Sequence, residues 1–191
     1  MAALKAFLLC LALACVASSA AAQSTGSGTI VYGGDASDGW AFTVSAPPGW
    51  ILDCCEHTTE LNANLLVFPE NWDGQEPDRV MVLTVWSKET ADVDADWQAD
   101  AIDYFAHFPG LTSITYFPQV KDATCVSANY ASADHISDYV VFCDPGNDWH
   151  YRFAWSMSVR AGSAAAASED AFRATVASTT PMHMHISATP Q

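Results

Sequence analysis

The chain of 191 residues carries 22 acidic against seven basic side chains, a net charge of −15 with histidine neutral. A surface this acidic repels phosphate backbones and anionic lipid, which argues against nucleic-acid binding and membrane-surface attachment. Seven Trp, nine Phe and six Tyr are enough aromatic material to build the core of one domain.

Residues 1–22, MAALKAFLLCLALACVASSAAA, read as a signal peptide. Lys5 precedes an apolar run from Ala6 to Val16, and small residues follow to Ala20-Ala21-Ala22 before Gln23. The run is too short to span a bilayer. Cleavage near Ala22 would remove Lys5, leaving six basic and 22 acidic side chains, a net −16, on a secreted or periplasmic protein. A lipidated Cys15 is the competing reading, but Ala12 stands where such sites want Leu. No later segment approaches the roughly 18 apolar residues of a membrane helix, so membrane insertion is not expected.

Residues 23–35, with STGSGTI, predict a flexible lead-in. GWAFTVSAPPGW then sets Trp40, Phe42 and Val44 on one face of a strand stopped by Pro47-Pro48-Gly49. ELNANLLVF predicts a second strand, with Leu61, Ala63, Leu65 and Val67 on one face. RVMVLTVWS is apolar on both faces, the pattern of a strand covered on both sides. DVDADWQADAIDYFAHF is an amphipathic helix: Trp97, Ala101, Phe105 and Phe108 form a stripe, and Asp96, Asp100, Asp103 and His107 lie opposite. Strands over Ser113–Phe117, Thr124–Ala131 and Ser137–Cys143 come next, then the cleanly alternating WHYRFAWSMSVR. Ser168 is expected to cap a last helix, EDAFRATVAS, which ends before Pro181. The domain thus spans 36–180, with 181–191 as a C-terminal tail.

These elements predict a single α+β domain built on an antiparallel sheet of about six to seven strands covered by helices. Their order resembles the PsbP-like and DcrB-like sandwich, and FTVSAPPGW, a strand running into a Pro-Gly-Trp turn, is similar to a segment those domains often carry. The resemblance implies an accessory, chaperone-like or binding role rather than catalysis, and so a protein partner in the envelope or outside the cell. It places no functional residue on this chain.

Three patterns carry candidate chemistry. Asp92, Asp94, Asp96, Asp100 and Asp103 match oxygen positions of a calcium loop, but Trp97 stands where the loop's turn needs Gly. A solvated acidic helix face is therefore expected. The C-terminal PMHMHIS offers Met182, His183, Met184 and His185, thioether and imidazole donors that suit copper. A strand would split these ligands between two faces, whereas a flexible tail could gather them. For catalysis the chain has no G-x-S-x-G, no H-E-x-x-H and no glycine-rich phosphate loop, which leaves a hydrolase without a recognisable motif as the weakest alternative. Trp72, in the polar loop PENWDGQEPD, is the tryptophan expected to be exposed for a ligand or partner contact.

Cys54, Cys55, Cys125 and Cys143 remain after the leader is removed, an even count that favours disulfides in an oxidising compartment. A hairpin centred near Asp134 would set Cys125 opposite Cys143. Two pairings compete: Cys125 with Cys143, leaving Cys54-Cys55 as a vicinal ring or dithiol, or one bridge from each of the adjacent cysteines to the hairpin. The second is preferred, because adjacent thiols rarely stay unpaired outside the cytosol. A four-sulfur metal site is disfavoured, since adjacent cysteines lack the spacer that lets both thiolates reach one zinc.

Overall fold

Period-two alternation becomes two antiparallel sheets in the computed structural model, which describes residues 28–34, 39–72, 79–109, 112–115, 118–131, 136–162 and 164–184. In chain order the described elements are β1 (Thr29–Gly34), β2 (Gly39–Val44), β3 (Trp50–Asp53), β4 (Leu65–Pro69), β5 (Met81–Ser87), α1 (Val93–His107), β6 (Thr112–Thr115), β7 (Thr124–Ala131), β8 (Ile136–Asp144), β9 (Tyr151–Arg160), α2 (Ala165–Ser178) and β10 (Thr180–Met184). The fold is α+β and forms one domain. A large sheet has the order β3-β4-β5-β9-β8-β7-β6, and a small sheet has the order β1-β2-β10.

The two chain ends depart from expectation in the same way. Thr29–Gly34 is a strand where a flexible lead-in was expected, and Thr180–Met184 is a strand that takes in the start of the expected tail. Both are recruited by β2, which pairs Val31 with Phe42 on one edge and Pro181 with Phe42 on the other. The pairing satisfies both sides of the β2 backbone. It also lets Trp40 lie across Gly33, where a Cβ would come within 2.4 Å of the indole ring. An edge glycine covered by a cross-strand aromatic is a recurrent way to hold such a register.

The second expected strand begins only at Leu65, because residues 54–62 fold into turns. The last helix begins before Ser168, which lies buried inside it rather than capping it. Ala164–Ala167 have the highest helix propensity of any residue type, and they carry the helix one turn further toward its N-terminus.

One face of the large sheet is closed. Phe153, Trp155, Met157 and Val159 of β9 pack there with Leu65, Val67, Met81, Leu83 and Val141. The small sheet contributes Trp40, Phe42 and Val44, and α2 contributes Phe172 and Val176. Trp155 is fully buried, and its indole N–H donates to Thr179 Oγ1 at 3.0 Å, so burying the ring leaves no polar atom unpaired. The Ser45 backbone N–H donates to Ser178 Oγ, which joins the end of β2 to the end of α2.

The opposite face is only partly covered. α1 starts at Asp92, whose carboxylate accepts the Ala95 N–H at 2.8 Å as an N-cap. It lays Trp97, Ala101, Tyr104 and Phe105 over Ala128 and Tyr130 of β7 and Val140 of β8. Phe108, expected on this stripe, is instead the exposed C-cap residue.

Candidate functional site

Beside α1, the same face of the large sheet carries a trough over β5 and β9. The reason is the side-chain size pattern of β9. Its large residues point to the closed face, while Ala154, Ser156 and Ser158 point the other way and make a low floor. The trough has two hollows that share Thr84 and Ser156. One, of about 360 Å³, is bounded by Leu61 and Asn62 from the loop between β3 and β4, with Val80 and Val82 beside it. The other, of about 340 Å³, is walled by Asp96 and Asp100 of α1, with Trp86, Val140 and Phe142 below. Trp86 and Phe142 meet edge to face, with ring centroids 5.8 Å apart.

The two acidic wall residues differ sharply. Asp96 accepts from the buried Arg152 guanidinium at 2.8 Å and from Thr90 Oγ1 at 2.7 Å. Arg152 also pairs with Asp144 at 2.8 Å, and Lys88 reaches that same carboxylate at 2.6 Å. Burial opposes the Asp144 charge, but hydrogen bonds from Lys88, Arg152 and the Gly146 N–H outweigh it and hold its carboxyl below the usual carboxylate range. The cluster ties the start of α1 to the β8–β9 turn. Asp96 is therefore a structural ligand of Arg152.

Asp100 is half-buried, and its Oδ2 is fully enclosed with no hydrogen-bond partner. Burial first, and the neighbouring Asp103 charge second, push its carboxyl above the usual range. Beneath it the wholly buried Tyr130 hydroxyl lies beside the Trp97 indole N–H; burial together with the Asp100 charge outweighs that donor and pushes its phenol up to about 12. The adjacent Tyr104 hydroxyl is satisfied, since it donates to Asp138, which also accepts from Ser158 Oγ.

The solvated acidic face expected of α1 is thus corrected at two positions. Asp96, Asp100 and Tyr104 form an i, i+4 ridge directly beside the Trp97–Ala101–Phe105 stripe, so Asp96 and Asp100 turn toward the protein. Asp100 was missed as a site residue. The available signal was its position three residues after Trp97 and four before Tyr104, within the buried arc.

Of the residues singled out in the sequence, Cys125 and Cys143 sit opposite each other in the β7–β8 register and are disulfide-bonded. Cys54 bonds to Cys55, so the preferred bridges from this pair to the hairpin do not form. The reason is local. Direct register satisfies the hairpin thiols, and the Asp53 carboxylate accepts the Cys55, Glu56 and His57 N–H groups, which winds residues 53–57 into an exposed turn. Burial works against the Asp53 charge, but those three donors outweigh it and lower its pKa. The hairpin centre near Asp134 lies outside the described residues.

Trp72 is half-buried rather than exposed, packed on Phe68 at 4.7 Å and His57 at 5.7 Å. β10 places Met182 opposite Ala41 and His183 opposite Trp40, so the methionines and the histidine take opposite faces. The His183 ring lies 4.1 Å from that of Trp149. His185 lies outside the described residues. Among the described residues, no three His, Cys, Asp or Glu side chains gather as metal ligands, and no helix is long and apolar enough to cross a membrane. Comparison with models of known protein families and with characterised proteins finds no match to this chain.

Proposed function

We propose that this chain is an exported, non-enzymatic binding protein that holds a segment of a protein partner in the trough between α1 and the β3–β4 loop. The observation that carries this reading is the division of labour along β9. Its bulky residues fill the closed core, while Ala154, Ser156 and Ser158 keep an open floor between two walls. Hydroxyls of Thr84 and Ser156 at the shared centre offer hydrogen bonds to an extended chain, and apolar side chains at both ends offer burial. Disulfide bonding suits an oxidising compartment, in keeping with a leader over residues 1–22. The resemblance to PsbP-like accessory domains points the same way.

The test uses the exported form recovered from its own cells and immobilised as bait. Ser156→Trp would plug the trough at its centre, and Tyr32→Ala would alter the exposed outer face of the small sheet. The expected result is a partner retained by the wild type and Tyr32→Ala but lost from Ser156→Trp, with the unfolding midpoint of the plugged variant unchanged. Retention by Ser156→Trp, or loss from Tyr32→Ala alone, would overturn the assignment.

A further inference from the structure

The hollow at the α1 end of the trough has a chemistry of its own, and a ligand class for it rests on the trough's proposed binding role. Trp86, Val140 and Phe142 give it an apolar, aromatic base alongside Thr84 and Ser156. Of the two carboxylates in its wall, Asp100 has no cation and no hydrogen-bond donor among the described residues. Asp96 beside it is already neutralised by Arg152. A half-buried carboxylate normally acquires donors, because enclosing it without them costs free energy. An orphaned carboxylate oxygen in the wall of a shaped hollow marks a place arranged for a donor brought by something else.

We infer that this hollow is an anchor for a cationic side chain, Lys or Arg, presented by the partner segment: its alkyl stem lies on Trp86 and Phe142, and its charged head reaches Asp100. A volume of about 340 Å³ sits at the small end of ligand pockets and suits one side chain better than a large organic ligand. Aromatic faces favour a cation over a neutral group of the same shape. The net charge of −15 draws basic segments toward the protein from a distance. Each of these features would disfavour an acidic segment in the same place.

Three blocked pentapeptides with glycine on either side of Lys, Arg or norleucine separate charge from stem. They are titrated into the full exported protein and monitored by backbone amide shifts. Lys or Arg should bind at least tenfold more tightly than norleucine, with the largest shifts at Trp86, Asp100 and Phe142. Asp100→Asn should abolish that preference while leaving the fold intact, and Phe142→Leu should weaken all three peptides together. Equal binding of Lys and norleucine, or an undiminished preference in Asp100→Asn, would overturn the anchor. If the peptides bind across the trough whatever the central residue, the binding role stands and the cationic anchor fails. If no peptide binds and Ser156→Trp still retains the partner, the binding role itself fails.

Discussion

The two faces of the large sheet are built from the same strands yet solve different problems. On the closed face, β9 presents Phe153, Trp155, Met157 and Val159 to a small sheet and a helix, and Trp155 finds a partner for its indole N–H in Thr179. On the open face, the intervening residues are Arg152, Ala154, Ser156 and Ser158, and a carboxylate oxygen of Asp100 is left without a partner. One face is complete in itself. The other is only partly covered by α1, and its uncovered part is where binding is proposed. Within a single strand, then, residue size on alternate positions separates the closed core from the face where binding is proposed.

Adjacent substitutions should expose that separation most strongly. Trp155→Ala empties the centre of the closed core and is expected to cost about 3–5 kcal/mol. Ser156→Ala, one residue along, should change stability by no more than about 0.5 kcal/mol. Urea unfolding of the two variants measures both, and comparable losses would erase the distinction between the faces.

The disulfides form a second, smaller contrast. Cys125–Cys143 closes a separation of 18 residues beside the closed core, whereas Cys54–Cys55 closes a separation of one on an exposed turn. In the chain-entropy picture the first contributes about 3 kcal/mol and the second almost nothing. Replacing Cys125 and Cys143 by Ser should therefore lower the thermal midpoint by many degrees, and replacing Cys54 and Cys55 should barely move it. A calorimetric comparison in which the vicinal pair mattered more would reverse this ranking.

The smallest expected effect is on acid sensitivity. Asp53 and Asp144 have lowered pKa values when folded, so their contribution is present above the unfolded value of about 3.9 and is lost as pH falls through the folded values. Asp100 is opposite in sign. Its raised pKa disfavours the folded state once it ionises, with Asp103 on its own helix adding repulsion. Tyr104 and Tyr130 stay neutral nearby, and Asp96 is compensated by Arg152. Asp100→Asn should thus be slightly more stable than the wild type at neutral pH, and the difference should vanish below the ordinary Asp range. A pH series of unfolding midpoints checks this, and a variant less stable at neutral pH would contradict it.

Much of this division is written in the sequence, unevenly. The alternation of YRFAWSMSVR announces a strand with one bulky face, and the hairpin arithmetic about Asp134 gives the Cys125–Cys143 register. What local pattern did not reveal is where long-range pairing wins. β1 and the start of the C-terminal tail become strands because β2 supplies two open edges to them, a property of the partner and not of their own residues. Asp100 looked like one more solvated acid because a two-sided helix picture ignores the ridge between stripe and surface. Trp72 looked exposed because its loop is polar, although Phe68 and His57, close to it in space, receive the ring.

A photoreactive phenylalanine analogue, placed at Thr84 in one version of the chain and at Tyr32 in another and irradiated in the protein's own cells, tests the division of faces most directly. Thr84 sits at the centre of the trough, and Tyr32 sits on the exposed outer face of the small sheet. The expected outcome is one discrete protein cross-linked from Thr84, attached beside a Lys or Arg of its sequence, and none from Tyr32. Cross-linking of a partner from Tyr32 with none from Thr84 would contradict the assignment of recognition to the open face.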